Sequence, residues 1–205
     1  MTINTLPHSH STQIPTAAGR WHSRGYLPHF ETSARLQMIT YRLRDSLPRE
    51  AVARIRHQYP AGEGDIRFRR SIETYMDSGF GACLLKDPRV ASVVREVWLN
   101  RHMHEYLLHA WVIMPNHVHV LIDVAPSTRL CTILEAWKSV SARRINAVLA
   151  RSGQLWQKES WDRYIRNAVH YERAVSYIYE NPVKAGLVER SEDWRWSSWG
   201  EGMLA

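Results

Sequence analysis

EYLLHAWVIM, residues 105–114, and HVHVLID, residues 117–123, flank a Pro115-Asn116 pair. Two apolar runs joined by a tight turn signal predict a β-hairpin. Alternate side chains of a strand share a face. His117 and His119 therefore project together, their Cα atoms about 6.5–7 Å apart. Val118, Val120 and Ile122 occupy the other face. Upstream, Ala34–Leu43 carries Ile39, Thr40 and Tyr41 and predicts a strand. Helical stretches follow at Pro48–Tyr59, Ile66–Met76 and Pro88–Asn100, the last with Asp87 as cap and Pro88 at its first position. Downstream, Ser127 or Thr128 is placed to cap a long helix running to about Arg151 and ended by Ser152-Gly153. A short strand at Tyr164–Arg166 and a helix over Val169–Asn181, stopped by Pro182, complete the pattern. The order is strand, helices, two strands, helix, strand, helix. It predicts an α+β, ferredoxin-like (RRM-like) antiparallel sheet with helices on one or both faces. The first crossover carries a helical insertion, about residues 46–101.

Two imidazoles at His-x-His spacing can converge on one metal ion. Equally, they can be half-buried strand histidines bonded to backbone. A second element, Tyr177-Ile178-Tyr179-Glu180-Asn181-Pro182, closes the last helix. At about 100° per residue, Asn181 lies some 40° from Tyr177, Glu180 about 60° to the other side, and Tyr179 about 200° away. A phenol and an amide or carboxylate oxygen thus share one helix face. Tyrosine can form covalent intermediates, but its ordinary pKa near 10 calls for help from a cation or base.

The 205 residues fit one domain, with a formal net charge of +7. The basic side chains are 23 Arg and only 4 Lys, beside 9 Trp and 9 Tyr. Arg forks suit phosphates, and Trp and Tyr stack on bases. From Lys138 to Arg173 the surplus is five positive charges, interleaved with Trp156, Trp161, Tyr164 and Tyr171. Two cysteines, Cys83 and Cys131, exclude a disulfide scaffold and a four-thiolate zinc site. Residues 1–20 lack an apolar stretch and read as a flexible tail, and residues 191–205 as a Trp-rich tail. The longest apolar run is far shorter than the ~20 residues of a membrane span.

Three ordered stretches, Met114–Ile122 (MPNHVHVLI), Trp156–Arg166 (WQKESWDRYIR) and Tyr177–Val188 (YIYENPVKAGLV), resemble the REP-associated tyrosine transposases, which are single-tyrosine HUH nucleases. Arg24–Phe30 and the ending Asp193–Trp199 (DWRWSSW) are similar to that family too. The resemblance covers about residues 20–200, with residues 21–190 as one HUH domain. It implies that His117 and His119 hold a divalent ion, Mg²⁺ or Mn²⁺, with Asn181 completing the site. It implies Tyr177 as nucleophile. Many relatives carry Gln where this chain has Asn181. The implied activity is endonucleolytic cleavage and strand transfer of single-stranded DNA beside hairpins of repeated extragenic palindromes, through a 5′-phosphotyrosine.

Arg143, Arg144, Trp156, Gln157, Arg163, Arg166 and Lys184 are the expected DNA contacts. A monomer is expected rather than a dimer, in the cytoplasm of a bacterium and associated with its nucleoid, with no membrane partner. The competing readings are another HUH enzyme (replication initiator or relaxase), a host-adopted, non-catalytic DNA-binding protein, and a zinc module drawing on His102, His104 and His109.

Overall fold

The computed structural model describes residues 19–23, 28–32, 35–60, 62 and 65–199. Most of the expected N-terminal tail and part of the Arg24–Phe30 motif lie outside them. The elements run β1 (Gly19–Ser23), β2 (Pro28–Thr32), β3 (Leu36–Arg42), α1 (Arg49–Gln58), α2 (Ile66–Asp77), α3 (Pro88–Leu99), β4 (Tyr106–Ile113), β5 (His117–Val124), α4 (Leu130–Val148), β6 (Trp161–Tyr164) and α5 (Ala168–Lys184). β1 and β2 form an antiparallel hairpin. The main sheet has the order β4-β5-β3-β6 with every pair antiparallel. This is the strand order of the expected split arrangement, with α1, α2 and α3 inserted after its first strand.

Alternation along β5 separates two cores. Val118, Val120 and Ile122 pack with Trp98 of α3 and Ile133 and Trp137 of α4. On the opposite face Ala110, Val112 and Leu121 pack with Ala174 and Ile178 of α5. A third, smaller core holds α1 to α2 through Leu47, Ile55, Phe68 and Ile72. Asp87 caps α3 as expected, accepting from the Arg89 N–H.

Three element boundaries differ from expectation. α4 starts at Leu130 after Arg129, which gives no side-chain cap, so neither Ser127 nor Thr128 acts as one. It ends at Val148, with Ala150 and Gly153 both at positive φ. α5 runs through Pro182 to Lys184. Proline removes one N–H, but the Asn181 and Pro182 carbonyls still accept from the Ala185 and Leu187 N–H groups. Strand β6 starts at Trp161 and ends at Tyr164. The Trp-rich end is no loose tail up to Trp199: Ile113 N–H donates to Trp196 O, Ser198 N–H to Trp111 O, and Val112 bridges Ser197. This segment therefore lines the outer edge of β4.

Candidate active site

His117 and His119 are 0% and 1% exposed and point toward α5. Their cross-strand neighbours on β3 are Arg42 and Thr40. The hairpin turn fixes the first imidazole. Asn116 Nδ2 donates to the carbonyls of Met76 (3.0 Å) and Phe80 (2.9 Å). That leaves Asn116 Oδ1 as the acceptor 2.7 Å from His117 Nδ1. His117 Nδ1 therefore carries the proton, and Nε2 presents a lone pair. Thr40 Oγ1 lies 2.7 Å from His119 Nδ1 and orients the second ring. The two Nε2 atoms face each other at 3.1 Å. Burial disfavours their charged forms, taking His117 down to about 3, with Arg42 adding to the effect. His119 is driven well below the ordinary value by burial, and then by His117.

α5 delivers the remaining groups. The Tyr177 ring stands edge-on to His119, centroids 5.1 Å apart. Asn181, one turn later and 1% exposed, places Nδ2 3.3 Å from His119 Nε2. A side-chain hydrogen bond also joins Asn181 to Tyr177 and favours the phenolate. Burial outweighs it and pushes the Tyr177 hydroxyl up, with Glu73 and Asp77 pushing the same way. Lys184 Nζ lies 5.5 Å from the Tyr177 ring centroid and pairs with Glu180 at 2.9 Å. The alternative left open by the helix wheel is settled here: Asn181, not Glu180, turns toward the histidines. Tyr179 points elsewhere, as its angle required. It is buried, accepts from the Ser198 hydroxyl at 3.3 Å and meets Trp199 edge-on.

The donor set fits a divalent ion. Two imidazole Nε2 atoms converge, and Asn181 Oδ1 is buried without a hydrogen-bond partner. Among the described residues, no three His, Cys, Asp or Glu side chains stand together closely enough to hold an ion as they are. Among the described residues, His102 and His109 join no group of three such ligands. His102 Nδ1 accepts from the Leu108 N–H, and His109 Nδ1 meets the Tyr171 hydroxyl.

Residues 86–180 match the family model described as "Transposase IS200 like". That segment, a little under half of the chain, is similar to the IS200-like transposases. A curated REP-associated tyrosine transposase of Escherichia coli (strain K12) is 31% identical over 91 residues, covering 44% of this chain and 53% of that protein. A second curated relative, from Haemophilus influenzae, is 31% identical over 103 residues and 58% of its length. The chain thus spans just over half the length of these relatives. A solved structure titled "Structure of the REP associates tyrosine transposase bound to a REP hairpin" superposes with a TM-score of 0.51 at 21% identity. It covers 82% of this chain and 78% of that one, and supports the fold. The family resemblance expected from the three motifs is borne out. Within the described residues, no helix is long and apolar enough to cross a membrane.

The expected DNA contacts scatter. Arg163, Arg166 and Arg173 surround His170 and, after burial, hold its pKa down. Arg163 stands opposite Met38 in the sheet, on the histidine face. Lys184 reaches Tyr177. Arg143 and Arg144 are exposed on α4, across the sheet from the histidines, and Arg144 is ion-paired with Glu96 of α3. Trp156 is a correction: it is 3% exposed, meets Tyr41 edge-on and donates to Ser141 Oγ, so its ring has no free face for a base. Gln157 is half-buried, and its N–H donates to Arg42 O. Lys138, counted in the positive stretch, is internal. Its ammonium donates to the carbonyls of Gln157, Lys158 and Glu159 and to Ser160 Oγ.

Sequence reasoning missed four residues at the site: Thr40, Asn116, Glu73 and Asp77. Asp77, the last residue of α2, brings Oδ1 to 3.6 Å from His117 Nε2. Burial and the neighbouring Glu73 raise its pKa to about 6. Thr40 and Asn116 could have been found as cross-strand and turn neighbours of the histidines. Nothing in the local pattern of α2 marks its two acids.

Proposed function

We propose that this chain is a metal-dependent nuclease and strand transferase acting on single-stranded DNA beside a hairpin of a repeated extragenic palindrome. The observation that carries the reading is one cluster of Tyr177, the converging Nε2 atoms of His117 and His119, and the unpartnered Asn181 oxygen. His117, His119 and Asn181 would hold Mg²⁺ or Mn²⁺, which supplies Lewis-acid polarisation of the scissile phosphate and neutralises its charge.

The chain's own groups prepare the nucleophile. Tyr177 must lose its hydroxyl proton to attack phosphorus. The Asn181 hydrogen bond favours the resulting phenolate, and so does the Arg163 guanidinium. Attack forms the Tyr177 Oη–P bond and breaks the P–O3′ bond. The 3′ oxygen leaves and takes up a proton as a 3′-hydroxyl, while the 5′-phosphate stays on the tyrosine. A second 3′-hydroxyl reverses the reaction, so one phosphodiester replaces another without an external energy source. Arg163, Arg166 and Arg173 offer guanidinium forks to the DNA backbone. The chain works as a monomer in the bacterial cytoplasm, at the nucleoid.

The test is a denaturant-resistant adduct between the protein and labelled hairpin DNA in Mn²⁺. Tyr177→Phe should lose it entirely, and Tyr179→Phe should retain it within about threefold. An adduct that survives Tyr177→Phe refutes the nucleophile. Absence of any wild-type adduct, with hairpin binding intact, would make the chain a DNA-binding protein only.

A further inference from the structure

The inserted helices are more than the first crossover needs, and α2 brings a carboxylate to the histidine pair. We propose that Asp77 is a carboxylate ligand of the divalent ion, completing a set of two imidazole nitrogens, one amide oxygen and one carboxylate oxygen. The inference rests on the metal reading of His117, His119 and Asn181.

Three observations carry it. First, Asp77 Oδ1 and His117 Nε2 stand 3.6 Å apart. The His117 proton sits on Nδ1, bonded to Asn116, so both facing atoms are acceptors. Facing acceptors repel unless a cation lies between them. Second, the placement is built in. Asn116 bonds the carbonyl of Met76, so the residue before His117 is tied to the residue before Asp77. A second bond, to the Phe80 carbonyl, clamps the end of α2 against the hairpin turn. Third, and independently of the acids, Asn181 is 1% exposed, lies against His119 through Nδ2 and leaves its buried Oδ1 without a hydrogen-bond partner. A buried amide oxygen without a donor is satisfied by a cation.

The chemistry also explains why an acid belongs here. Glu73 lies one turn before Asp77 on the same side of α2, and both press on Tyr177 electrostatically. Two anions beside a tyrosine that attacks a phosphodiester would repel the substrate. With a dication between carboxylate and imidazoles, the same anion becomes part of the binding site. It also shifts selectivity. Two imidazoles suit zinc or copper, whereas a carboxylate and an amide oxygen add the hard donors that Mg²⁺ and Mn²⁺ prefer.

The experiment is Mn²⁺ and Zn²⁺ titration of the full chain without DNA, read by electron paramagnetic resonance of free Mn²⁺ and by calorimetry. Asp77→Asn should weaken Mn²⁺ at least about tenfold and Zn²⁺ clearly less. Glu73→Gln, which removes a neighbouring charge, should stay within about threefold of wild type. Asp77→Glu should recover part of the loss, and thermal melts without metal should show all variants folded. Mn²⁺ affinity unchanged in Asp77→Asn, with His119→Ala losing it, overturns the Asp77 assignment and leaves the metal site standing. Equal weakening by Asp77→Asn and Glu73→Gln reduces the effect to net charge and also overturns it. No recovery in Asp77→Glu marks a packing defect and does the same. A wild-type chain that binds no Mn²⁺ overturns both readings at once.

Discussion

The two faces of the sheet are built from alternate residues of the same strands, yet they are finished to different degrees. On the α3/α4 face polar atoms form a relay. Trp137 Nε1 donates to the Tyr106 hydroxyl, which donates to the Trp98 carbonyl, while Trp98 Nε1 donates to the Tyr41 hydroxyl. Trp156 Nε1 finds Ser141 Oγ, which passes its own proton to Trp137 O. Only the Trp111 indole in this aromatic group keeps a buried nitrogen without a partner. The α5 face buries two imidazoles with Nε2 atoms face to face, an amide oxygen with no partner and a nearby carboxylate. Buried acceptors left facing one another cost stability. The difference teaches where function sits: one side of the sheet holds the fold together, and the other is left incomplete until something binds.

That contrast can be broken by mutation. Trp137→Ala, on the finished face, should cost about 3–5 kcal/mol in urea denaturation, since it empties a fully buried indole site and strands the Tyr106 hydroxyl. His119→Ala, on the unfinished face, should cost less than about 1.5 kcal/mol without metal while abolishing Mn²⁺ binding. Equal costs would erase the distinction.

Acid gives the next effect. Both histidines stay neutral in the fold, whereas the unfolded chain takes up protons below about pH 6.5. The unfolded state then holds more protons, so stability should fall as the pH drops from 6.5 toward about 3 for His117, by about 1.4 kcal/mol per pH unit, with His119 acting in the same direction. Asp77 acts oppositely. With its pKa raised from 3.8 to about 6, the fold keeps a proton that the unfolded chain releases, so its contribution grows as the pH falls through that range. Two histidines against one aspartate leave a net acid loss. His117→Ala should flatten the slope of unfolding free energy between pH 6.5 and 5, and an unchanged slope would mean the imidazole is not held neutral.

The smallest effect sharpens the relay itself. Ser141→Ala removes the acceptor of the Trp156 indole and should cost about 1–3 kcal/mol in the same denaturation assay. It should leave Mn²⁺ affinity untouched, because Ser141 lies across the sheet from the histidines.

The parts legible in the sequence were those whose cause is local. The hairpin follows from two apolar runs and a turn, the common face of His117 and His119 from strand alternation, and the placing of Tyr177 with Asn181 from helical spacing. What depends on distant packing was not legible. Asp77 and Glu73 reach the site because α2 folds over the hairpin, and no pattern around them marks that. Lys138 looked like a cation for a polyanion, but burial turns it inward to three carbonyls and a hydroxyl. Trp156 looked like a stacking surface until Tyr41 and Ser141 enclosed it. Pro182 looked like a stop, because a proline is costly inside a helix. Near the end of α5 little ladder remains to be lost.

The segment pairing with β4 has a consequence for how the chain matures. An uncovered strand edge is a template on which another chain can grow. Here the cover comes from Trp196 to Ser198, some eighty residues after the strand it shields. During synthesis the hairpin is therefore made long before its guard, and its edge stays open to neighbouring nascent chains meanwhile. Ribosomes stalled in that interval would release products prone to sticking together, whereas chains carried through Ser198 would seal themselves.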